Sequence, residues 1–274
     1  MTIEKKDFEK FLEFRNLFNS ESENFGLNHN SQKLNDETSS ESEDKSPFVL
    51  FSSCPTDLIE INVKDSNNIQ WIKDNSNIKI KEYDIKYLKT PKEHFDIDSL
   101  ILNDDFNGRV RQYIEFYENG FVEQGFAFPM IYGGRRDEPI GISLGRITMA
   151  FWCFLYFLKK YYSKTDFSGK IDLRIIIRNS DILSLTGFKG NTEGNRTWIG
   201  IYDDNHNNNI TETYHKNILT KKEVDLNSLS DSKIEEIVKL FSNKIANAYD
   251  LDFARCYNFD GTFSFENYVD FNNY

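Results

Sequence analysis

The sequence predicts an α+β fold: a mixed, largely antiparallel sheet holding a central Asn-Gly hairpin, with two or more helices packed on it. Three stretches carry that expectation. Residues 109–126, RVRQYIEFYENGFVEQGF, place Asn119-Gly120 between two runs rich in β-branched and aromatic residues, which reads as a hairpin with a type I′ turn. Residues 147–158, ITMAFWCFLYFL, are apolar almost throughout, as in a helix buried on nearly every side. Residues 231–249 repeat Ile234, Ile237, Val238, Phe241, Ile245 and Ala248 at helical spacing behind a cap at Ser230 or Asp231.

A two-residue loop sets Tyr117 opposite Val122 and Tyr113 opposite Phe126, with Ile114, Phe116 and Phe121 on the other side. Apolar groups on both faces imply a strand pair covered on two sides. Residues 129–141 connect this hairpin to the buried helix and carry Gly133-Gly134 and Arg135-Arg136. Ser143 or Gly141 caps the helix, and Lys159-Lys160 lie near the negative end of its dipole.

The remaining elements follow in chain order. Residues 1–18 form an amphipathic helix, with Ile3, Phe8, Phe11, Leu12, Phe14, Leu17 and Phe18 at roughly helical intervals. Residues 19–46 are acidic and poor in apolar groups, and read as a flexible linker. Residues 47–274 form a single α+β domain. Its first part is strand-like: Phe48–Ser52, a 57–63 stretch that fits either type, the apolar run Ile69–Ile72, and an alternating 78–88 with Ile78, Ile80 and Tyr83 inward. Residues 89–107 are rich in turn formers, and Pro91 interrupts any ladder there. Strands follow at 170–178, 181–186, 197–202 and 210–214, and Asp260-Gly261 marks a last tight turn.

Charge narrows the function. Lys and Arg number 33 against 44 Asp and Glu, a net −11, and the mean hydropathy is −0.59. Long-range repulsion opposes non-specific binding to a phosphate backbone, so any duplex affinity of this chain alone is expected at roughly 10⁻⁴ M or poorer. Cys54, Cys153 and Cys256 are scattered and odd in number, which argues against a disulfide framework and for a reducing cytoplasm. The N-terminus has no secretory pattern. The longest apolar run, about 12 residues, is short of the ~20 that span a bilayer.

Three places have the residue types of a site. In the loop 187–196, glycines let the backbone approach a ligand, and Lys189, Gly190 and Arg196 offer contacts to an anion; the alternative is a plain strand connection. It is not a Walker loop, since no Gly-Lys-Ser/Thr and no following helix are present. Arg135-Arg136, with Arg109 and Arg111, offers a small basic patch that Asp137 and Glu138 partly cancel. Asp203, Asp204, His206 and His215 have metal-ligand chemistry, but a hydrolytic site needs about three convergent ligands. His206 sits among asparagines and reads as a solvated residue, so neither metal nor cofactor is expected. No nucleophile elbow or Ser/Cys–His–acid pattern occurs, and no catalytic residue is assigned.

The succession RVRQYIEFYENGFVEQGF, apolar helix, KIDLRIIIRNSDILSLTGFKG and IANAYDLDFARCYNFDGTF resembles the region that follows the DNA-binding module in prokaryotic proteins of the Schlafen AlbA-type DNA-binding family. Ser184-Leu185-Thr186-Gly187-Phe188-Lys189-Gly190 and the Ala248–Cys256 phrase carry the likeness, which covers roughly residues 47–265. In that family an AlbA-like module would precede the region. Residues 1–46 do not match one, so the resemblance carries DNA binding to no residue here. It implies an accessory half, with a role in regulation or in defence against mobile elements. The expected function is a non-catalytic accessory binding or sensor domain that recognises a protein partner or small ligand. The alternatives are a nucleic-acid-associated regulator acting through the basic patch, and a metal-dependent hydrolase or nuclease using 203–215.

Overall fold

A computed structural model describes residues 48–88, 92–106, 109–126, 131–132, 140–180, 183–188, 198–200, 213, 215–252, 254, 256–258 and 260–268, with Glu9 and Leu12 of the N-terminal stretch. Glu9 and Leu12 are both helical and exposed. The architecture is α+β, as the sequence predicts. In chain order the elements are β1 (Phe48–Pro55), α1 (Ser66–Asp74), β2 (Asn77–Ile80), β3 (Tyr83–Lys86), β4 (Lys92–Phe95), β5 (Ser99–Phe106), β6 (Arg109–Tyr117), β7 (Val122–Phe126), β8 (Ile131–Tyr132), β9 (Ile140–Ser143), α2 (Leu144–Lys164), β10 (Lys170–Arg178), β11 (Leu183–Phe188), β12 (Trp198–Gly200), β13 (Asn217–Asp225) and α3 (Asp231–Asn247).

Seven strands form one sheet in the order β13-β10-β1-β7-β6-β5-β4, and every neighbouring pair in it is antiparallel. A four-stranded sheet, β12-β11-β9-β8, contains the parallel pair β9–β11, and β2–β3 is a separate hairpin. β1 is an interior strand of the large sheet, with Val49 and Phe51 packed on one face and Phe48 and Leu50 on the other, and all eight of its residues are buried.

The central hairpin departs from expectation at its turn. Tyr117 N–H donates to Phe121 O, Gly120 N–H donates to Tyr117 O, and only Gly120 has a positive φ, +81°. The loop is therefore three residues, Glu118-Asn119-Gly120, of the kind in which a type I turn ends in a left-handed glycine. The Asn119 carboxamide accepts from Phe121 N–H at 3.0 Å, which holds asparagine in this turn without a left-handed φ. The extra loop residue shifts the register by one: Phe116 opposes Val122, Glu115 opposes Glu123 and Tyr113 opposes Gly125. Phe121 consequently lies with Tyr117 and Cys54, on the side away from Ile114 and Phe116.

α2 is the hub of the core. Ser143 caps it by accepting from Arg146 N–H, and most of its residues are buried. Phe151 meets Phe241 of α3 at 4.9 Å between centroids, and Thr148 Oγ1 lies 2.8 Å from Ser242 Oγ. The Tyr162 hydroxyl ties α2 to the sheet through Gly120 O and Ser53 Oγ, both at 2.9 Å. The Tyr268 ring occupies the space a side chain would need at Gly145, so the C-terminal segment lies directly on the helix. Ser230 caps α3 by accepting from Lys233 N–H.

Other expectations needed revision. The run Ile69–Ile72 is helical: the Asp65 carboxylate accepts from Asn67 N–H, and the three-residue spacing buries both isoleucines on one side of α1. The turn-rich 89–107 contains β4 and β5, because Leu100 and Leu102 alternate inward while Ile101 between them faces the other side of the sheet. β13 had little sequence signal, since Ile218-Leu219 and Val224 are separated by Thr220, Lys221, Lys222 and Glu223. Between Asp57 and Val63 the chain is neither helix nor strand.

Candidate functional site

The sites expected from the sequence are distributed unevenly over the structure. Lys189, Gly190, Arg196, Arg135 and Arg136 lie outside the described residues, as do Asp203, Asp204 and His206. Arg109 and Arg111 are residues of β6. His215 is exposed; its carbonyl accepts from Ser180 Oγ at 2.5 Å, and its N–H donates to Thr213 Oγ1 at 3.2 Å. No group of three or more His, Cys, Asp or Glu side chains that could hold a metal occurs among the described residues. No described helix is long and apolar enough to cross a membrane.

The strongest polar constellation is one the sequence reading passed over. On the sheet face turned away from α2, a register row runs from Ile101 through Glu115, Glu123, Ser52 and Arg174 to Lys221. Glu115, Glu123, Ser52 and Arg174 are 0, 2, 0 and 3% exposed. Two carboxylates directly opposite one another on neighbouring strands repel, by an amount that grows with burial. Each is held by a donor of its own. Ser99 Oγ donates to Glu115 Oε1 at 2.6 Å, and the Tyr113 hydroxyl donates to Glu123 Oε1 at 2.7 Å.

Local sequence explains how those donors arrive. Tyr113 sits opposite Gly125, and its ring lies where a Cβ on residue 125 would be, 2.3 Å from Cε1. Without a side chain at 125, the phenol crosses to β7 and reaches the carboxylate two residues away. Ser52, between Glu123 and Arg174, is short enough for the long side chains on either side to approach over it. Burial pulls the Arg174 guanidinium below its ordinary value, and the charge of Glu123 opposes that shift. Burial, with the charges of Glu115 and Glu123, pushes both the Tyr113 and Tyr117 phenols far up, so both remain protonated donors. The row is an internal ionic seam, and neither carboxylate is open to a substrate in this structure. Glu115 and Glu123 were legible only as the polar positions of an alternating strand; the one-residue register error hid that they face each other.

The cysteines are equally closed. All three are buried. Burial drives the Cys153 thiol far up and pushes the Cys256 thiol up to about 12, which leaves little thiolate at neutral pH. A thiol reagent is expected to label none of the three in the native chain and all three in urea. Native labelling near neutral pH would place a cysteine at the surface.

The outer surface offers a different feature. Four large apolar side chains are exposed among the described residues, and two of them, Phe95 at 55% and Ile97 at 83%, share the β4–β5 hairpin. Its turn is firmly held. Asp96 N–H donates to Ser99 O, the Asp96 carboxylate accepts from Ile97 N–H, Lys64 Nζ donates to Ile97 O, and Glu118 N–H donates to Asp98 O. Among the described residues β4 is one edge of the seven-stranded sheet, and each of its residues is exposed.

Comparison of the chain with family models, with curated proteins and with solved structures gave no match.

Proposed function

We propose that this chain is a non-catalytic accessory domain that recognises a protein partner, and that the β4–β5 hairpin is its recognition surface. The observation that carries this reading is the exposure of Phe95 and Ile97 on a turn fixed by hydrogen bonds to Lys64, Ser99 and Glu118. An apolar pair held in place at the rim of a sheet binds with little ordering cost, which is where binding free energy is otherwise lost. The buried carboxylates of Glu115 and Glu123 and the three buried thiols support a role without covalent chemistry. The resemblance of residues 47–265 to an accessory half supports the same role, in regulation or in defence against mobile elements. A small ligand at Lys189, Gly190, Arg196, Arg135 and Arg136 is the second form of this reading.

The test is comparative. Wild-type chain and the variant Phe95→Ser/Ile97→Asp are used side by side to retain proteins from the native host. Both positions are solvent-exposed, so melting temperatures should agree within a few degrees. A host protein retained by the wild type and released by the variant supports the proposal. Equal retention by both sinks it.

A further inference from the structure

We infer that the partner at this surface is a second copy of the same chain, joined edge to edge through β4 about a two-fold axis. The inference rests on the reading of the β4–β5 hairpin as a recognition surface.

The backbone fixes which groups are available. Asp96 N–H donates to Ser99 O at 3.1 Å, so residue 96 is turned inward to β5. Peptide groups alternate along an antiparallel strand, which turns those of Glu93 and Phe95 outward, to the side where no strand pairs with β4 among the described residues. A second antiparallel strand must oppose outward groups with outward groups and keep side chains on matching faces, so only registers shifted by whole two-residue steps are allowed.

Charge and geometry then choose among three registers. Centred on Glu93, the pairing sets Glu93 against Glu93, Lys92 against His94, and Phe95 against Pro91, which has no N–H to give. Centred on Phe95, it requires Ile97 and Asp98, which form the turn. Centred on His94, it opposes Glu93 to Phe95 of the second copy at both ends, and each outward N–H and C=O of those residues is bonded. The same register places Lys92 against Asp96 of the second copy, twice. Lys92 and Asp96 thus give the stretch two complementary charge pairs beside its hydrogen bonds, while His94 meets its own copy on the axis and Glu93 stays paired with Lys73 of its own chain, an arrangement an isologous interface admits. Edge strands left open in this way are ready templates for another chain. The seam is short, which puts the dimer at the weak, transient end of interface sizes.

Sedimentation velocity on the full chain, from micromolar to millimolar concentration, reads the outcome. The wild type should rise from monomer toward dimer mass. Lys92→Asp replaces two attractions by two repulsions and should weaken association about tenfold or more. Asp96→Lys should do the same, and the exchange Lys92→Asp/Asp96→Lys should restore it. A chain that stays monomeric throughout, or a dimer indifferent to Lys92→Asp, overturns the inference. The two readings fail separately. Monomeric wild type with a host protein still released by Phe95→Ser/Ile97→Asp removes self-pairing and leaves recognition standing. Charge-swap dimerisation with no host protein dependent on those residues does the opposite.

Discussion

Replacing Trp152 by alanine is expected to cost about 3–5 kcal/mol of folding stability. Trp152 is 1% exposed on α2, with its ring centroid 4.9 Å from Phe265 and 5.6 Å from Phe263. The truncation removes most of an indole from the layer between α2 and the C-terminal segment. That layer cannot easily close over the void: Tyr268 is already pressed onto Gly145, and Phe265 is stacked on Tyr83 from the β2–β3 hairpin. The cost therefore belongs in the upper part of the range, where a site collapses poorly. Urea denaturation followed by circular dichroism measures it. A loss under about 1 kcal/mol would mean that the C-terminal segment does not seal the helix.

The second large effect belongs to the buried row. Arg174→Met is expected to cost about 3–5 kcal/mol, because it removes a positive charge from beside a carboxylate that is 2% exposed. Glu123→Leu should be of similar size for the converse reason, with the Tyr113 hydroxyl also losing its acceptor. The double variant is the informative one. With both charges gone the desolvation penalty goes too, so Glu123→Leu/Arg174→Met should be more stable than Arg174→Met alone. Strictly additive losses in the urea midpoints would show that the two side chains do not act on each other.

How much of this was legible in the sequence depends on where each residue's information lies. α2 and α3 declare themselves because burial and 3.6-residue periodicity are properties of a single segment. β1 and β10 do so because their apolar runs are long enough for a central strand. β4 and β13 did not, since at a sheet edge the solvent-facing positions are charged and the pattern dilutes to a few apolar residues. The hairpin was visible but its loop length was not: Asn-Gly serves a two-residue and a three-residue turn equally well, and hydrogen bonds from Gly120 and Phe121 decide between them. The ionic row was out of reach for the same reason. Ser52, Glu115, Glu123 and Arg174 come from four strands, and only register across all four aligns them.

The interior position of β1 has a consequence for biosynthesis. This strand leaves the ribosome first among the seven, yet it is sandwiched between β7 and β10, and its first residue pairs with Arg178. At about 5–20 residues per second, Phe48 waits on the order of ten seconds for that partner. Through the interval an apolar segment with two unsatisfied edges is presented to solvent, and the β6–β7 hairpin relieves only one of them. Sheet closure is thus postponed until β10 and β13 have been translated. Nascent-chain arrest before residue 178 should yield a form that chaperones bind, and arrest beyond β13 one that they release.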